Sequence, residues 1–240
     1  SVENPAMTTN TNVGSTVRLF EACVGNIKRV VWASSSSVYG GADTMPTPES
    51  HPKDPKSPYA WQKSSIEELS RVFCNLYDID IVCLRYFNVF GPGQYGDSPY
   101  STAIAAWCNA IVNGLPLRSD GDGTQSRDLC YIDNVVQANI LTADRDENFK
   151  GQYYNIACGD RTTNNQILDF LSAEFAVGPL HELMTSERYL KHKDDPQLQR
   201  QMIEYSIVNE FHPVKRYIMD NIARGSKTSK IISFYKFNRL

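Results

Sequence analysis

The chain has 240 residues, of which 41% are hydrophobic and 21% are charged, and its formal net charge at pH 7 is -3. This length allows one large domain or two small ones with a substantial core. A slightly acidic chain lacks the basic excess of nucleic-acid-binding proteins, so we expect no nucleic-acid partner.

Cysteine, histidine and hydropathy patterns indicate in which compartment the protein lies and whether it binds a metal. The six cysteines are scattered without a Cys-x-x-Cys pair, which favours buried free thiols in a reducing compartment. The four histidines show no ligand spacing, so we expect no metal site. No window is apolar enough to span a membrane and no secretory signal is visible, so we expect a cytoplasmic protein. The first residue is serine rather than methionine, and we expect the chain to begin within a longer protein.

Helical and strand patterns alternate along the first 98 residues. The spacing of apolar residues predicts helices over residues 8–23 and 59–77, and short continuous apolar runs predict buried strands over 28–34 and 80–87. The prolines of residues 40–58 exclude a regular element there. This order predicts an α/β fold with a parallel sheet.

The pattern changes after residue 98. We predict helices over 99–113, 133–143 and 164–175 and strands over 129–132 and 152–157. We interpret residues 99–175 as a smaller α/β domain above the carboxyl ends of the strands, where α/β proteins bind ligands. Residues 176–240 are predicted to form a largely helical tail, to which we assign no role.

A run of hydroxyl side chains, Ser34 to Ser37, ends the first predicted strand, and Tyr59 and Lys63 begin the next helix. Positions i and i+4 share one face of a helix, so the Lys63 ammonium lies near the Tyr59 ring. A nearby positive charge favours the ionised form of a phenol. Tyr59 is therefore a candidate proton acceptor, and a strand-end serine can share the hydroxyl of a substrate.

Five segments carry a resemblance to a known family: residues 12–16 (NVGST), 28–40 (KRVVWASSSSVYG), 57–63 (SPYAWQK), 84–92 (LRYFNVFGP) and 121–133 (GDGTQSRDLCYID). From residue 1 to about residue 175 the chain resembles the extended short-chain dehydrogenase/reductases. Within them it is similar to the NAD-dependent nucleotide-sugar epimerases, and most of all to the UDP-N-acetylglucosamine 4-epimerases. After about residue 175 the resemblance fades.

The resemblance implies an incomplete Rossmann-like parallel sheet with a smaller α/β substrate-binding domain. Family members begin with a strand, a glycine-rich turn and a helix that hold the NAD pyrophosphate, and that N-terminal third has no counterpart in this sequence. Residues 1–98 would then be the C-terminal part of the NAD-binding domain. Family members often form dimers, which here implies a possible homodimer through the helices at residues 8–23 and 59–77.

The same resemblance implies the chemistry. Tyr59 would take the proton of the sugar 4-hydroxyl while hydride leaves C4 for NAD+, and the 4-keto sugar would turn over and take hydride back on its other face. The implied catalytic residues are Ser35, Tyr59 and Lys63. The implied cofactor contacts are Thr11, Ala33, Ser34, Tyr59, Lys63, Tyr86 and Phe87. The implied contacts of a UDP-sugar are Ser35, Ser36, Asn88, Thr102, Ala103, Trp107, Arg127 and Arg161.

Two other functions stay open beside a UDP-sugar 4-epimerase. A nucleotide-sugar 4,6-dehydratase would carry an Asp-Glu acid/base pair where this chain has Ser36 and Ser37. A non-catalytic fragment or remnant would fit the missing pyrophosphate cradle. Structural roles also remain possible for single residues, because Trp107 and Phe87 suit a core and Arg161 suits a surface.

Overall fold

The computed structural model describes residues 1–98, 101–113, 115, 117, 119 and 121–174, so the predicted tail at 176–240 lies outside the described residues. The helices are α1 (Pro5–Thr9), α2 (Ser15–Cys23), α3 (Pro58–Leu76), α4 (Ala103–Val112), α5 (Ile132–Asp144) and α6 (Asn164–Glu174). The strands are β1 (Arg29–Ser35), β2 (Asp80–Tyr86), β3 (Asn88–Phe90), β4 (Ser126–Arg127), β5 (Leu129–Tyr131), β6 (Tyr153–Ile156) and β7 (Thr162–Thr163). No helix among these residues is long and apolar enough to cross a membrane.

A parallel sheet in the order β1-β2-β6 is the centre of the first part of the chain. The pairing of β1 with β2 runs from Arg29 opposite Asp80 to Ser35 opposite Tyr86. The carboxyl ends of both strands therefore meet at one edge of the sheet. The predicted α/β class with a parallel sheet is confirmed.

Helices cover both faces of this sheet. Successive residues of β2 point to opposite faces, so their contacts show which helices lie on each side. Val82 and Leu84 pack with α5 residues in one apolar cluster. Ile81 packs in the other cluster with Phe20 of α2 and with residues of α3. The continuous apolar run of β2 thus reflects a strand that is buried on both faces.

The chain divides into two compact units, each described here by itself. Residues 1–89 and 130–159 belong to the first unit, and residues 90–129 and 160–174 belong to the second. This grouping differs from the predicted division at residue 98, because β6 pairs in parallel with β2 and so joins residues 130–159 to the first unit.

Local signals fix the ends of the elements near the serine run. Ser57 caps α3 by accepting a hydrogen bond from the Ala60 amide, and Pro58 occupies the first helical turn. A 3₁₀ turn, Ser36–Tyr39, follows β1 and ends at Gly40, whose φ is 68°. The helical region from α1 to α2 contains a π-helical turn at Asn10–Gly14, which periodicity had predicted as plain helix.

Candidate active site

The Tyr59–Lys63 pair lies on the first two turns of α3, facing the end of β1. The Lys63 Nζ donates a hydrogen bond to the Ala33 carbonyl at 2.7 Å and lies 5.7 Å from the centre of the Tyr59 ring. It also lies 4.3 Å from the centre of the Trp32 ring. Burial lowers the pKa of Lys63 from its ordinary value. Tyr59 is exposed, with 39% of its surface accessible to solvent.

The strand-end serines have different environments. The Ser34 hydroxyl is buried and donates to Glu67 Oε1 at 2.5 Å. The Ser35 Oγ accepts the Ser37 amide at 3.2 Å, which caps the 3₁₀ turn. The Ser37 Oγ is also buried and has no hydrogen-bond partner among the described residues. Ser35 itself is half-buried at the end of β1.

A buried ionic cluster lies directly beneath these serines. Arg85 donates to both oxygens of Glu67, at 2.8 Å to Oε1 and 2.6 Å to Oε2, and both side chains are 0% exposed. Lys53 approaches the same carboxylate at 3.0 Å. Burial alone would raise the pKa of Glu67, but the hydrogen bonds and charge of Arg85, together with hydrogen bonds from Ser34 and Lys53, hold it below its ordinary value.

The cluster continues through a phenol that is itself buried. Arg85 donates to the Tyr39 oxygen at 2.6 Å, and the Tyr39 hydroxyl donates to Asn155 Oδ1 at 2.7 Å. The Arg85 guanidinium also stacks 3.6 Å from the centre of the Tyr153 ring. Burial raises the pKa of Tyr39 above its ordinary value, although Arg85 opposes the shift. Tyr39 therefore stays a neutral structural donor.

Four predicted cofactor residues lie at or near the carboxyl ends of β1 and β2: Ala33, Ser34, Tyr86 and Phe87. Tyr86, opposite Ser35 in the sheet register, accepts a hydrogen bond from Asn139 at 2.9 Å. Its burial raises the pKa of its hydroxyl. Phe87 follows directly, half-buried, with its ring 6.4 Å from that of Tyr39. Asn88, predicted to contact substrate, begins β3.

Thr11 lies in the π-helical turn, a kind of irregularity that is frequent at functional sites. Its side chain is exposed, and its neighbour Asn12 donates to Gln62 Oε1 at 2.8 Å. Gln62 in turn donates to Thr9 at 2.9 Å. This buried amide, placed between Tyr59 and Lys63 on α3, ties that helix to the π-helical turn.

The remaining predicted substrate residues belong to the second unit. Thr102 caps α4, Ala103 begins it, and Trp107 is buried at 2% exposure within it. Arg127 lies on β4, where Ser126 pairs with Thr163 of β7 in the antiparallel register. Arg161 donates to Ser126 Oγ at 2.7 Å, and Arg127 donates to the Ser126 carbonyl at 2.9 Å. Both arginines are exposed, and the structure brings them together around one serine.

Sequence reasoning missed the ionic cluster, although two signals pointed to it. Glu67 stands four residues after Lys63, which places it on the same face of α3. Arg85 interrupts the apolar run of β2, and a charge within a doubly buried strand needs a buried partner. Lys53 had no such signal, because it lies in the proline-rich loop before α3.

Comparisons with known proteins identify the family. The model of the NAD dependent epimerase/dehydratase family matches residues 1–157, so the chain belongs to this family. A putative UDP-glucose 4-epimerase of Methanocaldococcus jannaschii is 34% identical over 178 residues, which are 72% of this chain and 56% of that protein. The chain thus spans about half the length of the curated relatives it matches.

Solved structures show the same fold. The UDP-N-acetylglucosamine 4-epimerase from Methanobrevibacter ruminantium M1, in complex with UDP-N-acetylmuramic acid, is 42% identical with a TM-score of 0.69, over 72% of this chain and 55% of that one. A dTDP-glucose 4,6-dehydratase from Streptomyces venezuelae with NAD bound is 28% identical with a TM-score of 0.66, over 73% of this chain and 53% of that one. Both an epimerase and a dehydratase therefore share this fold.

Proposed function

We propose that this chain carries the catalytic residues of an NAD-dependent epimerase that inverts C4 of a UDP-sugar of the UDP-N-acetylglucosamine or UDP-glucose type. The observation that carries the proposal is the Lys63 ammonium, which bonds the Ala33 carbonyl at the end of β1 and lies 5.7 Å from the Tyr59 ring. A phenol beside a fixed cation, near the half-buried serine that ends β1, suits removal of a proton from a sugar alcohol.

Each residue of the pair has a separate task in this reaction. Tyr59 takes the proton of the sugar 4-hydroxyl and returns it after the 4-keto intermediate has turned over. The Lys63 ammonium stabilises the phenolate by its charge. Ser35 holds O4 by a hydrogen bond, so the reacting carbon stays aligned in both half-reactions. Because C4 is oxidised and then reduced, no net redox change occurs.

The residues around Lys63 fit one end of the cofactor. An ammonium has three donors, and Ala33 takes one of them, so Lys63 can also bind the nicotinamide ribose hydroxyls. The bound cofactor would supply the hydride acceptor and donor for C4. Among residues 1–98 the structure contains no strand, glycine-rich turn and helix of the kind that binds a dinucleotide pyrophosphate. We assign no described residue to that part of the cofactor.

Substrate recognition in the second unit rests on the two arginines. Arg127 lies on β4 and Arg161 directly precedes β7, and the hydrogen bonds of both to Ser126 keep these two exposed positive charges close together. Such a pair suits the diphosphate of a UDP-sugar through charge-assisted hydrogen bonds. The assignment is supported by two similar solved structures, a UDP-glucose 4-epimerase from Thermotoga maritima with UDP-glucose and a UDP-glucuronic acid 4-epimerase from Bacillus cereus with UDP-glucuronic acid and NAD.

The test has two parts, binding and turnover. Calorimetry of NAD+ with this chain, with and without UDP-N-acetylglucosamine, measures whether a cofactor site is present. Conversion of the UDP-sugar is then compared in the parent and in Tyr59→Phe, which should be at least ~100-fold slower. Tyr77→Phe, at the C-terminal end of the same helix, is the matched control and should turn over normally. Equal rates in Tyr59→Phe and the parent would remove Tyr59 as the base.

Two alternatives make different predictions in this test. A non-catalytic fragment predicts a folded chain that does not bind NAD+. A 4,6-dehydratase would form a 4-keto-6-deoxy sugar. That alternative is disfavoured because Ser36 and Ser37 carry no group with the acidity needed to remove water across C5 and C6.

Assembly and location complete the proposal. Leu19 of α2 and Trp61, Val72 and Leu76 of α3 are exposed apolar side chains, which supports a homodimer through these two helices. All six cysteines are free, which agrees with a reducing compartment such as the cytoplasm.

A further inference from the structure

The buried carboxylate of Glu67 contacts more polar groups than its ion pair with Arg85 requires. Its Oε1 accepts from both Arg85 Nε and the Ser34 hydroxyl, and its Oε2 accepts from Arg85 and Lys53. Replacing a buried ion pair by apolar residues is often neutral or stabilising, so stability alone does not explain such a cluster. The hydrogen bond from Ser34 connects this cluster to the candidate active site.

That hydrogen bond joins β1 to α3, and the proposed reaction depends on the relative position of these two elements. Glu67 lies on α3, one turn after Lys63 and two turns after Tyr59. Ser34 immediately precedes Ser35, whose hydroxyl caps the turn at the end of β1. The only other polar side-chain link described between this strand end and α3 is the hydrogen bond from Lys63 to Ala33.

We propose that Glu67 is a positioning residue, which holds the serine end of β1 on the helix that carries Tyr59 and Lys63. Arg85 fixes the carboxylate from the sheet by two parallel hydrogen bonds, and Ser34 transmits that fixed position to Ser35. Hydrogen-bond geometry at a reacting centre is sensitive to displacements of about 1 Å, so a loose strand end would slow the reaction without weakening substrate binding. This inference rests on the proposed function.

Ser34→Ala tests the link, because it removes one hydrogen bond while Arg85 and Lys53 still pair Glu67. Hydrogen exchange of the Ser37 and Gly40 amides, both bonded within the turn after β1, should become about tenfold faster. The Tyr77 amide at the far end of α3 should exchange as in the parent. In turnover of the UDP-sugar, kcat should fall about tenfold while KM stays within about twofold.

The matched control is Ser70→Ala, which likewise removes a buried serine hydroxyl, but one that lies on α3. Ser70 donates to the Ile66 carbonyl within its own helix and has no bond to β1. This variant should lose stability but keep the parent rates of amide exchange at Ser37 and Gly40 and the parent kcat. Glu67→Gln, which keeps the shape and one acceptor, should show an exchange rate between those of the parent and Ser34→Ala.

The outcomes separate this inference from the proposed function. Unchanged exchange in Ser34→Ala overturns the positioning role, and so does faster exchange with an unchanged kcat. Weaker NAD+ binding with unchanged exchange would assign the Ser34 hydroxyl to the cofactor and also overturn the inference. If the parent chain itself has no turnover, the proposed function fails, while the exchange comparison between Ser34→Ala and Ser70→Ala still decides whether Glu67 holds the strand end.

Discussion

Arg85→Met should destabilise the first unit strongly, and the size of the effect follows from its contacts. The guanidinium is 0% exposed and makes two hydrogen bonds to Glu67, so its removal leaves a buried carboxylate short of its main partner. Breaking a buried pair on one side costs about 3–5 kcal/mol. We expect about 3 kcal/mol, the lower end of that range, because Lys53 and Ser34 still face the carboxylate.

The pH dependence of this loss is the sharper measurement. In the parent, the pKa of Glu67 is held below its unfolded value, so its contribution to stability is present above about pH 4.3 and is lost as pH falls through the folded pKa. In Arg85→Met, we expect burial to outweigh the remaining hydrogen bonds from Ser34 and Lys53 and so to raise the pKa of Glu67. The deficit of the variant should therefore be smaller at pH 5 than at pH 7.

Urea unfolding followed by circular dichroism gives the free energy of unfolding at each pH. The double variant Glu67→Leu/Arg85→Met is the control, because it removes both charges and leaves Lys53 paired with Glu68 at 2.6 Å. It should be more stable than Arg85→Met alone, since the unpaired carboxylate is gone. A deficit that is the same at pH 7 and pH 5, or a double variant that is less stable than the single one, would refute the reasoning.

Three further predictions concern other parts of the first unit. Gly40→Ala should lower the free energy of unfolding in urea by about 3 kcal/mol, because its φ is 68° and a Cβ would lie 1.8 Å from the backbone oxygen of Asp54. Its control is Gly25→Ala, where φ is 70° but the space is open, and the loss should be about 1 kcal/mol. Asp80→Ala should cost at least about 3 kcal/mol by the same assay, because it removes the acceptor of a buried guanidinium and of two backbone amides. Trp61→Glu should convert a dimer to a monomer in sedimentation, and a parent that sediments as a monomer would contradict the proposed dimer surface.

The sequence predicted local features well because they depend on neighbours in the chain. The spacing of Tyr59 and Lys63 is a property of one helix, and the Lys63 ammonium lies near the Tyr59 ring as that spacing predicted. The π-helical turn at Asn10–Gly14 was missed because it keeps helical spacing on both sides.

Long-range pairing was harder to predict from the same sequence. A strand was expected near Tyr153–Ile156, but its parallel partner β2 lies far away in the chain, so its membership of the first unit could not follow from local order. The ionic cluster was missed for the same reason. Arg85 and Glu67 are 18 residues apart on different elements, and only the packing of α3 on the sheet brings them together.

The position of Lys63 gives the protein an internal optical reporter. Its ammonium lies 4.3 Å from the centre of the Trp32 indole ring, and the emission of an indole depends on charges close to its ring. A ligand that draws the ammonium toward itself, or neutralises it, will change the fluorescence of Trp32 without any added label. Trp61, which is 52% exposed, gives a separate, water-facing signal that acrylamide can quench. Ligand binding at the head of α3 can therefore be followed in the unmodified chain.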